Sequence, residues 1–291
     1  MTHTLKNSDI TLSIADHGAE IKSLIRNSDG KELMWQADPK YWGRTSPVLF
    51  PVVGCYYNKE SRFEGKTYSM GQHGFARDME FELVTQTEDE ILFKLADNEA
   101  SHEKYPFAFN LFCGYKISGK DIQVIWKVVN TDNREIHFSI GAHPAFNCDL
   151  DADKLLFEKD GKALDSLHVN IIANDGSGCL SDKTKDLSLN DGVLDMSDEL
   201  FSQDALVIED EQADAVTILN NEGKAFIKVG FTSPLFGVWS PVGKHAPFVC
   251  IEPWYGRCDR VGFDGDISER EYGNTLKPGE SFERSYNIHT L

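Results

Sequence analysis

The sequence predicts an all-β fold, a large antiparallel sandwich or barrel, and three observations carry that reading. Apolar and polar residues alternate in many short runs, turn chemistry separates the runs at close spacing, and no window holds a sustained helical stripe. The clearest unit is Phe109–Ile117 followed by Ile122–Asn130, two alternating runs joined by Ser118-Gly119-Lys120-Asp121 as an antiparallel hairpin. With 291 residues, 41% of them hydrophobic and 11% aromatic, the chain can bury one continuous core, and residues 1–291 are expected to form a single domain.

In chain order, Leu12–Ile25 alternates around Gly18 and reads as two short strands joined by a turn. Asn27-Ser28-Asp29-Gly30 is a hairpin signal leading to a short strand over Glu32–Trp35, and Ser61–Tyr68 turns at Glu64-Gly65. Phe81–Thr85 pairs with Ile91–Leu95 across an acidic turn, and Asp97–Tyr105 forms a helical turn or two that Pro106 ends. After Asn147 the chain turns acidic and poorly periodic as far as about Ser202, which predicts a decorated surface. Strands resume at Ala205–Ile208, Ala215–Leu219 and Ala225–Val229. No internal repeat or domain linker interrupts this pattern.

The net charge of −18, from 29 basic and 47 acidic residues, argues against nucleic acid or an anionic membrane as partner. Its distribution is uneven. Residues 149–214 hold 18 acidic and 5 basic side chains, a net of −13, whereas residues 40–77 hold 6 basic and 2 acidic, a net of +4. No run approaches the roughly 18 apolar residues that span a membrane, and the polar Met1–Ile10 lacks a basic-then-apolar leader, so a cytoplasmic protein is expected. The six cysteines are widely spaced, without the two-residue separation of zinc or redox motifs, and are read as reduced and structural.

Two strand-like runs each deliver one ionisable group just before a proline: His143-Pro144 in Phe138–Asn147 and Glu252-Pro253 in Phe248–Gly256. Proline cannot donate to a ladder and pushes its predecessor into extended geometry, so both groups are expected at strand ends, where an acid and a base could meet. Trp42–Pro51 and Gly71–Asp78 set polar groups beside glycine. Arg44 and Arg77 offer planar five-donor forks there, and His73 a ring donor, the groups that hold a polyhydroxylated or anionic ligand. Trp42, Trp254, Phe146 and Tyr255 supply aromatic faces of the kind that pack on sugar rings.

Blander readings stand beside these. His17, His102, His137, His168 and His245 have no comparable setting and read as structural. A carboxylate in an apolar strand is costly unless paired, so Glu252 is either a partner of Arg257 or Arg260 or a functional group. His137 and His143 could share a strand face, but two ligands are too few for a metal site, and none is expected. There is no Gly-x-Ser-x-Gly elbow, no evident cysteine–histidine pair, and no phosphate-loop or dinucleotide fingerprint.

Four runs, Arg44–Pro51, His73–Arg77, Gly141–Phe146 and Cys250–Trp254, together resemble the aldose 1-epimerase (galactose mutarotase) family, most closely its LacX-like bacterial branch. The resemblance covers nearly the whole chain. It implies an antiparallel β supersandwich with the site on a concave face, no cofactor, and a small aldose or aldose phosphate as partner. It also implies that Glu252 takes the proton of the C1 hydroxyl while His143 protonates the ring oxygen, opening the pyranose to the aldehyde. His73 and Arg44 match the family's substrate-orienting histidine and arginine, and Asp204 its hydroxyl-binding aspartate. The arginine loop is closer to the hexose 6-phosphate branch than to the free-sugar enzymes. The rival from another class is a non-catalytic carbohydrate-binding protein on the same sandwich. A glycosidase or lyase is disfavoured because no second carboxylate sits in a matched strand-end setting.

Overall fold

The computed structural model describes residues 1–291, and every paired strand in it is antiparallel except for two isolated parallel bridges, Phe50 with Gly74 and Leu180 with Arg260. Three sheets make the body. A four-stranded sheet runs through residues 2–6, 10–15, 21–26 and 31–32, and a ten-stranded sheet is centred on the long strands 109–118, 121–130 and 281–290. The predicted central hairpin forms with Ser118 opposite Asp121. Its burial alternates along residues 121–130, as an amphipathic strand requires.

The third sheet, of eight strands, carries the site. In chain order these are β1 (Val48–Leu49), β2 (Ile140–Ala142), β3 (Ala145–Asn147), β4 (Ser166–Ile172), β5 (Leu180–Ser188), β6 (Leu206–Ile208), β7 (Leu235–Trp239) and β8 (Phe248–Tyr255). Their spatial order is β5-β4-β6-β7-β8-β2-β1, with β3 also paired to β8. A core of 63 buried residues, drawn from Leu5 to Ile288, lies among the three sheets, the supersandwich expected from the resemblance.

Two expectations change. The acidic stretch after Asn147 is not mere decoration, because it contains 154–159, β4 and β5. β5 is an edge strand whose burial pattern is almost wholly exposed or intermediate, so it needs no apolar alternation and its sequence shows none. Glu32–Trp35 is a strand only at Lys31–Glu32, after which Met34 makes a single bridge to Phe146.

Candidate active site

β8 is fully buried, and strand parity divides its side chains between two environments. Val249, Ile251 and Tyr255 enter the main core, whereas Cys250, Glu252 and Trp254 share the other face. That same rule corrects two expected sugar-packing residues: Phe146, opposite Val249, and Tyr255, opposite Ile140, point into the core.

The register explains how Glu252 meets His143. Ile140 faces Tyr255, Gly141 faces Trp254 and Ala145 faces Cys250, so one register runs through both β2 and β3 and sets His143 opposite Glu252. Between β2 and β3 the ladder opens, and the His143-Pro144 dipeptide occupies the gap. His143 does stand at a strand end, but Glu252 lies inside β8, because the sheet accommodates Pro253 beside this opening. The Glu252 Oε1 to His143 Nε2 distance is 3.4 Å, just beyond a formed hydrogen bond. Neither group has another anchor on its second atom, since Glu252 Oε2 and His143 Nδ1 are buried without partners. Arg257 pairs with Glu209 and Glu271, and Arg260 with Glu271, so Glu252 has no arginine counter-ion.

Burial therefore governs the pair. Desolvation pushes the Glu252 carboxyl well above its ordinary range, with Asp204 adding to the rise and the Trp254 indole opposing it. The same desolvation, with Arg77 and Arg44 nearby, lowers His143 to about 3. Burial thus disfavours charge on both groups and favours a protonated carboxyl beside a neutral imidazole. Trp42 stacks on the His143 ring at 4.7 Å, and Trp239 meets it edge-on at 5.3 Å.

His73 is locked by the backbone of Gly54. Its N–H donates to the Gly54 carbonyl at 2.7 Å, and its Nδ1 accepts from the Gly54 N–H at 3.0 Å. A neutral ring accepting at Nδ1 carries its proton on Nε2, so His73 presents a donor beside His143, at 5.5 Å between ring centroids. Burial, together with His143, Arg77 and Arg44, holds its pKa well below the usual histidine value. This has a consequence for stability. Unfolded histidine titrates at about 6.5, whereas His143 resists protonation down to about 3 and His73 shifts the same way, so stability falls as pH drops through that window. A His73→Gln variant should lose less Tm between about pH 7 and about pH 5 than the parent, and an unchanged slope by calorimetry would exclude His73 as a contributor.

The loop bearing Arg44 is held from beneath by Glu20, a buried carboxylate whose Oε1 accepts from Thr45 N at 2.7 Å and Ser46 N at 2.8 Å. Arg44 Nη2 donates to Asp78 Oδ1 at 2.7 Å, Arg77 Nη2 donates to the Gln72 carbonyl at 2.7 Å, and Arg77 Nε stands 3.9 Å from Asp78. Two guanidiniums thus share one carboxylate. Burial and the neighbouring Arg44 pull Arg77 down to about 10, and its Nε has no hydrogen-bond partner.

All seven expected site residues, Arg44, His73, Arg77, His143, Asp204, Glu252 and Trp254, line one cavity of about 390 Å³. Asp204 also lines it with a left-handed backbone, φ 69°, and desolvation raises its carboxyl while the Ala205 N–H, donating to Oδ1 at 2.8 Å, and the Trp239 indole oppose the rise. Trp254 packs within a small apolar cluster as the floor. Sequence reasoning missed Trp239, Gln72 and Glu20. Trp239 was within reach of parity, since Leu235, Gly237 and Trp239 alternate along β7 onto the face that pairs with Trp254, Glu252 and Cys250. Glu20 gave no local signal. The five histidines read as structural pair with Glu80, Asp97, Thr275, Asp186 and Asp198, so His137 bonds Thr275 rather than joining His143.

Comparison with known proteins decides the family, because the aldose 1-epimerase model matches residues 1–289. The chain belongs to the aldose 1-epimerase family. Among curated relatives, the plasmid and chromosomal LacX proteins of Lactococcus lactis subsp. lactis are each 30% identical over 301 residues, covering 100% of both chains. A galactose mutarotase related enzyme from Lactobacillus acidophilus is 35% identical with a TM-score of 0.92, over 100% of this chain and 97% of that one. A galactose mutarotase-like protein from Lactobacillus casei is 26% identical with a TM-score of 0.91, over 100% of both. The β-rich supersandwich of this family member is thereby established, and no helix in it is long and apolar enough to cross a membrane.

Proposed function

We propose that this chain is an aldose 1-epimerase in which Glu252 and His143 interconvert the α and β anomers of a hexose through the open-chain aldehyde. One observation carries the reading: a buried acid and a buried base stand opposite each other across an opened ladder, on the wall of a cavity that also holds indoles and guanidiniums. Ring opening removes a proton from O1 and adds one to O5 as the C1–O5 bond breaks. Glu252 takes the first proton and His143 gives the second. Rotation about C1–C2 exposes the other carbonyl face, and reversal closes the ring, so each group acts once as acid and once as base. The pair needs one proton in total, and burial favours the form in which the carboxyl carries it. Sugar hydroxyls hydrogen-bonded to the carboxylate supply what the apolar wall does not, letting that proton reside on His143.

His73 Nε2–H and Asp204 orient ring hydroxyls, and Trp254 and Trp42 supply apolar faces. No metal or cofactor enters this scheme, and the six unpaired cysteines suit a reducing compartment such as the cytoplasm. Proton exchange by NMR between anomers of free aldoses tests the reading. Binding without any gain over the spontaneous rate would leave a carbohydrate-binding protein.

The substrate follows from the arginines. Arg44 and Arg77 face the cavity with only Asp78 between them, a local positive excess in a chain of net charge −18. Both share the cavity with His143 and act on its charge, and His143 is the group proposed to serve O5, whose carbon C5 carries C6. A hexose 6-phosphate is therefore expected to react with higher kcat/KM than the matching free hexose. Arg77→Lys should erode that preference by acting on the phosphorylated sugar alone, because an ammonium cannot reproduce the bidentate fork. Equal efficiency on both sugars in the parent would return the site to free aldoses.

A further inference from the structure

We propose that His143, Cys250 and Glu252 also form a binding site for a soft divalent cation of the zinc class, and that its occupancy shuts down anomerisation. One nitrogen, one sulfur and one carboxylate oxygen of these residues lie within 4.8 Å of one another, all three residues buried. The backbone places them there. Cys250 and Glu252 are two apart on one strand and share a face, and His143 is opposite Glu252.

Two further features mark the cluster as a site. His143 Nδ1 and Glu252 Oε2 are buried atoms with no hydrogen-bond partner, so ligand capacity is unspent there. The charge also balances. A dication held by one thiolate, one carboxylate and one neutral imidazole is net neutral, which a low-dielectric pocket accepts where a bare ion would be expelled. Binding reads Zn²⁺ + thiol + carboxylic acid + imidazole → neutral complex + 2 H⁺. Bonds of about 2.0–2.3 Å require the three ligand atoms to close slightly from their present spread, and three protein ligands leave a fourth position facing the cavity. The sulfur selects zinc, cobalt or cadmium over magnesium and calcium.

Inhibition follows because the cation occupies the lone pairs that move the reaction's protons. The cation site stands on geometry alone, while the inhibitory consequence rests on the proposed function. Cys250 itself lies outside the lining of the sugar cavity, packed beside Trp35, Ala145 and Phe248, so removing its sulfur separates metal capture from turnover.

The test titrates the intact protein with Co²⁺ and follows the near-ultraviolet sulfur-to-cobalt charge-transfer band. One equivalent should raise the band, Zn²⁺ should displace it, Mg²⁺ should not, and Cys250→Ser should abolish it. Cys250→Ala serves the same purpose if the serine disturbs the core. In parallel, Zn²⁺ should inhibit the parent, chelator should restore or raise its rate, and the Cys250 variant should need about tenfold or more Zn²⁺ for the same inhibition at unchanged basal rate. Absence of the band, or its persistence without Cys250, overturns the site. A band with no effect of Zn²⁺ on turnover overturns the inhibition. A parent inactive on every aldose after chelation refutes the epimerase reading and leaves the cobalt result to judge the site.

Discussion

Replacing Glu252 by Gln, or His143 by Asn, is expected to lower the rate of anomer interconversion by about 10² to 10⁴ while the chain stays folded. Gln copies the shape and the neutral form that burial favours at Glu252, so stability should hold or rise as a desolvation cost is removed. It cannot shuttle a proton. Asn at 143 keeps a polar group of similar reach but has no basic nitrogen. Because the two groups share one proton, the double variant should lose little more than the worse single one, the non-additivity expected of residues that act as a unit. NMR exchange rates corrected for spontaneous mutarotation, with circular dichroism as the control for folding, measure this. A drop below about tenfold in either single variant would remove that residue from the proton relay.

Much of this site was legible because period-two strands leave a readable record. His143 and Glu252 each stand before a proline, and one register brings them together across 109 positions of chain, a pairing that no local pattern fixes. Parity also predicts what the aromatic count alone could not, that Phe146 and Tyr255, three residues beyond His143 and Glu252, face the other way. Other features were hidden for physical reasons. Glu20 acts through backbone N–H groups 25 and 26 residues away, and any residue type can supply those. The acidic stretch conceals β5 because an exposed edge strand needs no apolar face. The arginines were visible as charge, but their sharing of Asp78, which leaves one positive charge uncompensated, is a matter of tertiary distance.

Gly237 fixes the cavity floor, and Gly237→Ala should cost about 1–3 kcal/mol of stability and lower kcat/KM as well. An ideal Cβ on Gly237 would lie 2.3 Å from Trp254 Cζ2 and 2.4 Å from Cη2, inside any real contact. The indole has no retreat on the far side, where a Cβ on Gly141 would lie 2.6 Å from Trp254 Cδ1 and 3.2 Å from Val53 Cγ2. Both glycines pair across the sheet with the segment they protect, Gly237 with Glu252 and Gly141 with Trp254. The two flanking strands therefore form a slot one indole wide. A methyl group at 237 must tilt the ring or push β7 away from β8, and either movement displaces the backbone that carries Glu252. Backbone conformation is not the cause, since neither glycine has a positive φ. Shrinking the ring should then relieve the clash: Trp254→Phe is expected to cost stability alone yet recover part of the loss when combined with Gly237→Ala. A coupling of about 0.5–3 kcal/mol of that sign in thermal or denaturant unfolding is the expected result. Additive losses would mean that the methyl group acts elsewhere in β7 and that the slot does not position Glu252.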